Sequence, residues 1–267
     1  MKYLKPCLLS AVLILLAQHM VLSYQGNENL SKDEIQIEYI GHASFKVHTN
    51  QETILLDPFA DKVWIGYSFP KNLTADAIFS THPHYDHDGG IFIKRTPYWQ
   101  GKIDLYTDPG EYKVGDFQVR GIMGKHCDPY GKEFGQKNTI WKLKVAGLTI
   151  AHLGDNGPLT EENVKALKGV DILMVPIDAE YHILKKEELA TVLKQIDPRV
   201  IIPMHYKIEE LENRPGKPQD LGPIDPYLIG KTNVLRLNSN KHSFSKASLS
   251  TSQQIVVFQH SPLIKPE

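Results

Sequence analysis

Cysteine, net charge and long apolar runs are all scarce in this sequence of 267 residues. Only Cys7 and Cys127 are present, so neither a disulfide framework nor a zinc site made of several thiolates is available to the chain. The 30 basic and 31 acidic side chains nearly cancel, which gives no indication of a nucleic-acid partner. With 41% hydrophobic and 23% charged residues, the composition is that of a packed globular protein and excludes disorder, collagen and coiled coil.

One apolar segment lies near the amino terminus. Residues 7–17 (CLLSAVLILLA) follow Lys2 and Lys5, which is the layout of a secretory signal peptide. The run is well short of the roughly 20 residues that a membrane-spanning helix needs, so we expect a cleaved signal; an uncleaved anchor is the alternative. The small Ser23, with a tolerated Val21 two residues earlier, predicts a signal peptide of residues 1–23 and export to a periplasmic or secreted location.

Cleavage after Ser23 would leave 244 residues with a formal charge of −3. Cys127 would then be the only thiol, and no intramolecular disulfide could form. We find no internal repeat and no block of charge that would mark a second domain. The simplest division is a single domain over residues 35–260, long enough to bury a full core.

The two halves of this domain differ in pattern. Short β-rich runs dominate the first half, whereas strand and helix patterns alternate in the second half, which predicts an α/β protein. Thr160 is a predicted helix cap, and Ala146-Gly147 a predicted hairpin turn. Helices are predicted at 161–167 and 185–195, strands at 171–177 and 200–203, a proline-rich loop at 209–233, and an exposed loop at 238–254 before a last strand at 255–259.

Four side chains that can bind metal lie within the six residues HPHYDH, directly after the predicted strand AIFS. Alternate residues of an extended segment point the same way, so His82 and His84 could bind one ion. The turn through Asp86 and His87 could present a carboxylate and an imidazole to a second ion. These donors suit zinc, manganese or iron. The competing interpretation is a polar surface loop with accidental histidines.

The HPHYDH segment resembles the signature of the metallo-β-lactamase superfamily. The remaining motifs of that family follow in the expected order: His126 in GIMGKHCDPYG, Asp155 in HLGDNG and His205 in PMHY. Asp57 in ILLDPF is similar to the structural aspartate of the family. The segment 41–45 (GHASF) resembles the branch that includes ascorbate-6-phosphate lactonase-like proteins. The resemblance covers roughly residues 35–210.

This resemblance implies a four-layer αβ/βα sandwich, an α/β fold of two mixed sheets flanked by helices, with two metal ions at one edge. It assigns three ligands to each ion and a shared carboxylate to both. The first ion is expected on His82, His84 and His126, and the second on Asp86, His87 and His205, with Asp155 bridging. Zinc is the expected metal, with manganese or iron as alternatives, and Asp57 is expected to orient ligand imidazoles.

The resemblance also suggests residues for the reaction. Asp86 and Asp155 are expected to serve catalysis as well as metal binding. His42, Tyr181 and His182 are candidates for substrate orientation or for stabilising an oxyanion. Two nearby divalent ions can lower the pKa of a bridging water and so provide hydroxide as the nucleophile.

The predicted function is therefore an exported binuclear hydrolase that cleaves an ester, lactone or phosphodiester bond of a small molecule. True β-lactamases of the superfamily generally lack the bridging aspartate, which makes β-lactam hydrolysis the weaker hypothesis. Di-iron redox chemistry is a further hypothesis, as is a noncatalytic protein that binds metal or ligand. We expect no nucleic-acid partner and no stable membrane anchor, and the oligomeric state stays open.

Overall fold

The computed structural model describes most of the predicted domain, at residues 30–59, 65–70, 73–89, 94, 103–127, 132, 135–178, 183–211 and 221–264. The predicted signal peptide of residues 1–23 lies outside the described residues. Among those that are described, no helix has the length and apolar character needed to span a bilayer.

The first sheet carries the amino-terminal strands and takes one strand from the carboxyl-terminal region. Its six strands are ordered β13-β1-β2-β3-β4-β5. β3, β4 and β5 are mutually parallel, and the other neighbours are antiparallel. The strands are β1 (Glu34–Gly41), β2 (Ser44–His48), β3 (Thr53–Leu56), β4 (Ala77–Phe79), β5 (Asp104–Tyr106) and β13 (Lys241–Ser245).

The second sheet has eight strands in the order β12-β14-β11-β10-β9-β8-β7-β6. From β12 to β9 all neighbours are parallel, and from β9 to β6 all are antiparallel. The strands are β6 (Gly110–Val114), β7 (Phe117–Lys125), β8 (Lys137–Val145), β9 (Leu148–His152), β10 (Ile172–Pro176), β11 (Val200–Met204), β12 (Val234–Arg236) and β14 (Gln254–Val257).

The helices that the structure describes over their whole length lie in the second half of the chain, as the pattern predicted. They are α1 (Glu161–Leu167), α2 (Lys186–Ile196), α3 (Asp225–Leu228) and a short 3-10 helix (Glu209–Leu211). Thr160 caps α1 by accepting a hydrogen bond from the Asn163 backbone, and α2 ends at Asp197 in a left-handed conformation just before Pro198. Helix α1 packs against β7 and against α2.

These elements confirm the predicted α/β sandwich of two mixed sheets. Strands β10 and β11 are buried at every position, as expected for parallel strands covered on both faces. Ala146 and Gly147 both have positive φ, +50° and +72°, which suits the tight turn predicted between β8 and β9.

The prediction of an exposed loop at 238–254 is wrong in part, because residues 241–245 form β13. This strand pairs with β1 at the edge of the first sheet, with Phe244 opposite Ile35. Phe244 alone is buried in a strand whose other positions are polar. A polar edge strand gives little hydrophobic pattern, and its partner lies about 200 residues away, so the local sequence could not reveal it. The predicted loop at 209–233 contains the 3-10 helix and α3 in its described part.

Asp171 ties together the amino ends of three parallel strands, at the edge where these strands begin. Its Oδ2 accepts hydrogen bonds from the backbone and the hydroxyl of Thr149 at 2.9 and 3.0 Å. Its backbone oxygen accepts from Val200 at 2.8 Å, and its Oδ1 accepts from Lys246 Nζ at 2.6 Å. Burial would raise the pKa of Asp171, but the Lys246 ammonium and the Thr149 donors outweigh burial and hold the pKa below its usual value.

We predict that Asp171→Asn lowers the free energy of unfolding by about 1–3 kcal/mol at neutral pH, since hydrogen bonds to a charged carboxylate are lost. A folded-state pKa below the unfolded value of about 3.9 stabilises the protein above that pH, and the gain disappears as pH falls through the folded pKa. The difference in unfolding free energy between wild type and Asp171→Asn should therefore become smaller below about pH 4, as measured by urea titrations. Asp116→Asn, in the exposed turn between β6 and β7, is the control and should match wild type. An Asp171→Asn deficit that persists unchanged at low pH would contradict this account.

Candidate metal centre

The carboxyl ends of several strands meet at one edge of the sandwich. In the first sheet β1, β3 and β4 run in one direction, and in the second sheet β7, β9, β10 and β11 share a direction. Ligand sites of α/β proteins favour the carboxyl ends of parallel strands. The residues just beyond these ends are the predicted site residues: His42 after β1, Asp57 after β3, residues 82–87 after β4, His126 after β7, Asp155 after β9 and His205 after β11.

A first cluster brings together His82, His84, His126 and Asp155. One nitrogen or oxygen from each side chain lies within 4.8 Å of all the others. His82 Nε2 is 3.0 Å from His84 Nδ1. Three of the four residues are buried, and His84 is partly exposed. This set includes the three imidazoles that the resemblance assigned to the first ion.

A second cluster brings together His42, Asp86, His87 and His205, all buried. Its donor atoms also lie within 4.8 Å of one another. It includes the three predicted ligands of the second ion and adds His42, whose Nε2 lies 3.0 Å from Asp86 Oδ2. From its motif, His42 was expected near the substrate, whereas the structure places its ring against a predicted ligand; a contact with substrate stays a prediction.

The carboxylate of Asp155 stands between the two clusters. Its Oδ2 lies 3.7 Å from His82 Nε2 and 3.5 Å from His126 Nε2. Its Oδ1 lies 3.3 Å from His87 Nε2 and 3.4 Å from His205 Nε2. One oxygen therefore faces each group of imidazoles, which is the arrangement expected of a bridging ligand.

The backbone at this edge adopts conformations that side chains rarely favour. His42, Asp57 and His205 have φ of +55°, +41° and +59°, in the left-handed region. Such conformations cost about 1–3 kcal/mol each and are concentrated at functional sites. Gly154, with φ of +55°, allows the chain to pass close to Thr81, since an added Cβ would lie 2.6 Å from the Thr81 side chain. The turn before Asp155 therefore requires glycine.

Asp57 orients imidazoles in both clusters. Its Oδ2 accepts a hydrogen bond from His87 Nδ1 at 2.8 Å, which leaves Nε2 of His87 pointing at Asp155. The Thr81 hydroxyl also donates to Oδ2 at 2.8 Å. Because this hydroxyl has one hydrogen, its oxygen accepts from His82 Nδ1 at 2.9 Å. Asp57 thus fixes His87 directly and His82 through Thr81.

Two further residues hold the ligand loops in place. Asn138 on β8 accepts a hydrogen bond from the Asp155 backbone at 3.1 Å and donates to the Leu153 carbonyl at 2.9 Å. His126 Nδ1 lies 3.1 Å from the Cys127 carbonyl, which leaves Nε2 of His126 on the side of Asp155. Sequence reasoning missed Thr81 and Asn138. The position of Thr81 next to His82 could have suggested a supporting role at the site, whereas no motif in the sequence marks Asn138.

The charges of the cluster residues depend on one another. Burial would raise the pKa of Asp155, but the imidazoles of His205 and His87 outweigh burial and hold the pKa well below its usual value. Burial would likewise lower the pKa of His87, but the carboxylates of Asp155 and Asp86 raise it to about 9. Burial lowers the pKa of His42 to about 4. The carboxylates are therefore charged, and they favour cations in their neighbourhood.

These side chains fit a pair of divalent ions. Nε2 of His87, Nε2 of His126 and Oδ1 of Asp155 are buried and make no hydrogen bond within the described structure. Polar atoms buried in this way are costly unless a ligand satisfies them. Each lies in or between the two clusters, and imidazole with carboxylate is a donor set that suits zinc, manganese or iron.

The remaining candidates divide into those the structure places and those it does not describe. Tyr181 and His182 lie outside the described residues. His152 is held by ordinary hydrogen bonds, to the Ala43 carbonyl at 2.8 Å and from the Gly154 backbone at 3.1 Å. Cys127 is buried, with Sγ 3.5 Å from His126 Nδ1.

Residues 36–205 match the family model described as the beta-lactamase superfamily domain. The chain belongs to the β-lactamase superfamily. This match covers both clusters, from His42 to His205, and confirms the membership that the motifs predicted. The narrower similarity to ascorbate-6-phosphate lactonase-like proteins stays a prediction.

The chain is also similar to metal-dependent hydrolases. The chain is 29% identical over 192 residues to a UPF0173 metal-dependent hydrolase of Carboxydothermus hydrogenoformans, covering 64% of this chain and 84% of the relative. A Pyrococcus furiosus metal-dependent hydrolase is 27% identical over 192 residues, with the same coverage.

A solved structure from Thermotoga maritima, described as a Zn-dependent hydrolase of the metallo-β-lactamase superfamily, is also similar. It is 26% identical with a TM-score of 0.62, covering 85% of this chain and 100% of that chain. At the level of the family, the prediction of a metal-dependent hydrolase is confirmed.

We predict that Thr81→Val weakens metal binding about 10–100-fold, because His82 loses the acceptor that fixes its ring and Asp57 loses a donor. Competition with a chromogenic zinc chelator measures the affinity. Thr81→Ser keeps the hydroxyl and is the matched control, expected within a few-fold of wild type. Equal affinities for the valine and serine variants would show that the hydroxyl does not orient His82.

Proposed function

We propose that the chain is an exported binuclear metal-dependent hydrolase that cleaves an ester, lactone or phosphodiester bond of a small molecule. The observation that carries the proposal is the position of Asp155, with one oxygen facing each cluster. A single metal would need only one of these groups of imidazoles. The family relationship supports hydrolysis, and the donor set supports zinc as the metal, with manganese or iron as alternatives.

In this proposal His82, His84 and His126 hold one ion, Asp86, His87 and His205 hold the other, and Asp155 binds both. When bound, two such ions would lower the pKa of a shared water towards neutrality and polarise the oxygen of the scissile bond. The surrounding residues set up this chemistry by keeping protons on Nδ1 of His82, His87 and His126, as the hydrogen-bond partners of these atoms require. Their Nε2 atoms then present lone pairs to the metal.

Among the residues that the structure describes around the centre, the exposed ones lie in the loop of residues 83–85. Pro83 and His84 are partly exposed and Tyr85 is exposed, whereas Asp86 and His87 behind them are buried. A substrate would therefore approach past this loop. The buried side excludes water other than the nucleophile, which strengthens the electrostatic interactions of the site.

We predict that wild type loaded with zinc hydrolyses at least one member of a panel of carboxylic esters, lactones and phosphodiesters, and that a chelator abolishes turnover. Asp155→Asn should lower turnover at least about 100-fold, because the carboxylate that serves both clusters is lost. Asp104→Asn, at the exposed position of β5, is the control and should keep full turnover. Wild type that binds metal but turns over nothing would favour a noncatalytic binding protein. Faster turnover of β-lactams than of the panel would favour a β-lactamase-type amide hydrolase.

Export is the second part of the proposal. It is supported by the short apolar run at 7–17 behind Lys2 and Lys5. We predict that protein recovered from the exported fraction of a bacterial host begins at Tyr24, as read by amino-terminal sequencing or intact mass. Recovery of full-length chain starting at Met1 in the membrane fraction would instead indicate an uncleaved anchor.

A further inference from the structure

His42 is the one residue of the second cluster that the family motifs do not assign to a metal. It lies just beyond β1 and is completely buried. Its Nε2 is 3.0 Å from Oδ2 of Asp86. A charged carboxylate can only accept hydrogen bonds, so this contact requires the proton on Nε2. With that proton in place, Nε2 is a donor to the Asp86 carboxylate and not a ligand.

The backbone of the same residue holds a second member of the cluster. The His42 carbonyl accepts a hydrogen bond from the His205 backbone at 2.9 Å and another from the Tyr39 hydroxyl at 3.1 Å. The rings of His42 and His205 also pack together, with centroids 4.2 Å apart. His42 therefore fixes Asp86 through its side chain and His205 through its main chain.

The backbone contact joins the two sheets at the metal edge, and the side-chain contact joins two loops of the first sheet. Asp86 belongs to the loop after β4 in the first sheet, and His205 follows β11 in the second. The left-handed conformation of His42, with φ of +55°, lets the chain turn sharply after β1, so that ring and carbonyl reach both partners. Such strain is retained where the surroundings require it.

We propose that His42 is a positioning residue of the second metal cluster, which orients the Asp86 carboxylate by an Nε2–H hydrogen bond and anchors the backbone of His205. The inference rests on the proposed binuclear site. It assigns His42 neither to metal coordination nor to contact with substrate. Hydrogen-bond partners of metal ligands typically contribute 10–100-fold to metal affinity.

The test compares His42→Gln with His42→Asn in the full mature protein. A glutamine amide nitrogen can reach the place of Nε2 and donate to Asp86, whereas asparagine is too short, although it tolerates the left-handed backbone well. Zinc titration against a chromogenic chelator gives the number of sites and their dissociation constants. Cobalt substitution adds the absorption spectrum of each occupied site, which reports coordination without turnover.

Wild type should bind two ions. His42→Asn should bind the second ion about 10–100-fold more weakly, whereas His42→Gln should stay within a few-fold of wild type with an unchanged cobalt spectrum. Equal and large losses in both variants, with an altered cobalt spectrum for His42→Gln, would identify His42 as a ligand and overturn the proposal. Wild-type affinity in both variants would overturn it too.

A buried histidine outside the centre provides the matched control. His48 Nε2 lies 3.2 Å from Glu38 Oε2 in the first sheet, so His48→Gln changes the same kind of contact away from the clusters and should leave both affinities unchanged. If His42→Asn fails to fold, the affinity of His42→Gln for the second ion is compared with that of Asp86→Asn. An affinity loss in His42→Gln as large as the loss in Asp86→Asn contradicts the proposal. Wild type that binds a single ion would instead contradict the binuclear function.

Discussion

The rest of the centre depends on the contacts between the Asp155 carboxylate and the imidazoles around it. Its two oxygens face different groups of imidazoles, at distances of 3.3 to 3.7 Å, so one side chain links two clusters into one site. Burying the imidazoles and the carboxylate costs free energy unless each group has a partner that replaces water. A pair of cations at this position would satisfy both, and would then stabilise the folded structure as well as supply the chemistry.

The strand topology brings the imidazoles and the Asp155 carboxylate together at one place. The strands that carry the clustered side chains at their ends run in the same direction within each sheet, so their carboxyl ends lie at one edge. At that edge the chain departs from ordinary backbone geometry at His42, Asp57 and His205. The opposite edge holds Asp171, whose hydrogen bonds join the starts of the parallel strands. Asp171 therefore stabilises the edge of the second sheet that lies opposite the candidate metal centre.

The grouping of these side chains could be predicted from the sequence, because the residues of both clusters lie in short motifs with strong local patterns. The HPHYDH segment identifies four side chains at once, and the later motifs follow in family order. Asp57 was correctly expected to orient imidazoles, and its contact with His87 is a direct hydrogen bond. The alternating strands and the capped helix α1 likewise follow from hydrophobic pattern and from Thr160.

The rest depends on contacts between distant parts of the chain. Asn138 supports Asp155 from another strand, and β13 joins β1 across most of the sequence. Neither contact leaves a local pattern. His42 illustrates the same limit, because its motif marks it as unusual while only the folded structure shows that it contacts Asp86 and the backbone of His205. The function of a residue that acts through its neighbours is visible only once those neighbours are in place.

Anomalous diffraction can show whether Asp155 joins two metal ions in one centre. The measurement uses crystals of the mature protein loaded with zinc and data from both sides of the zinc absorption edge. We expect two anomalous peaks, one among His82, His84 and His126 and one beside Asp86, His87 and His205, each next to a different oxygen of Asp155. A single peak at full zinc saturation, or two peaks that leave Asp155 without contact to one of them, would contradict it.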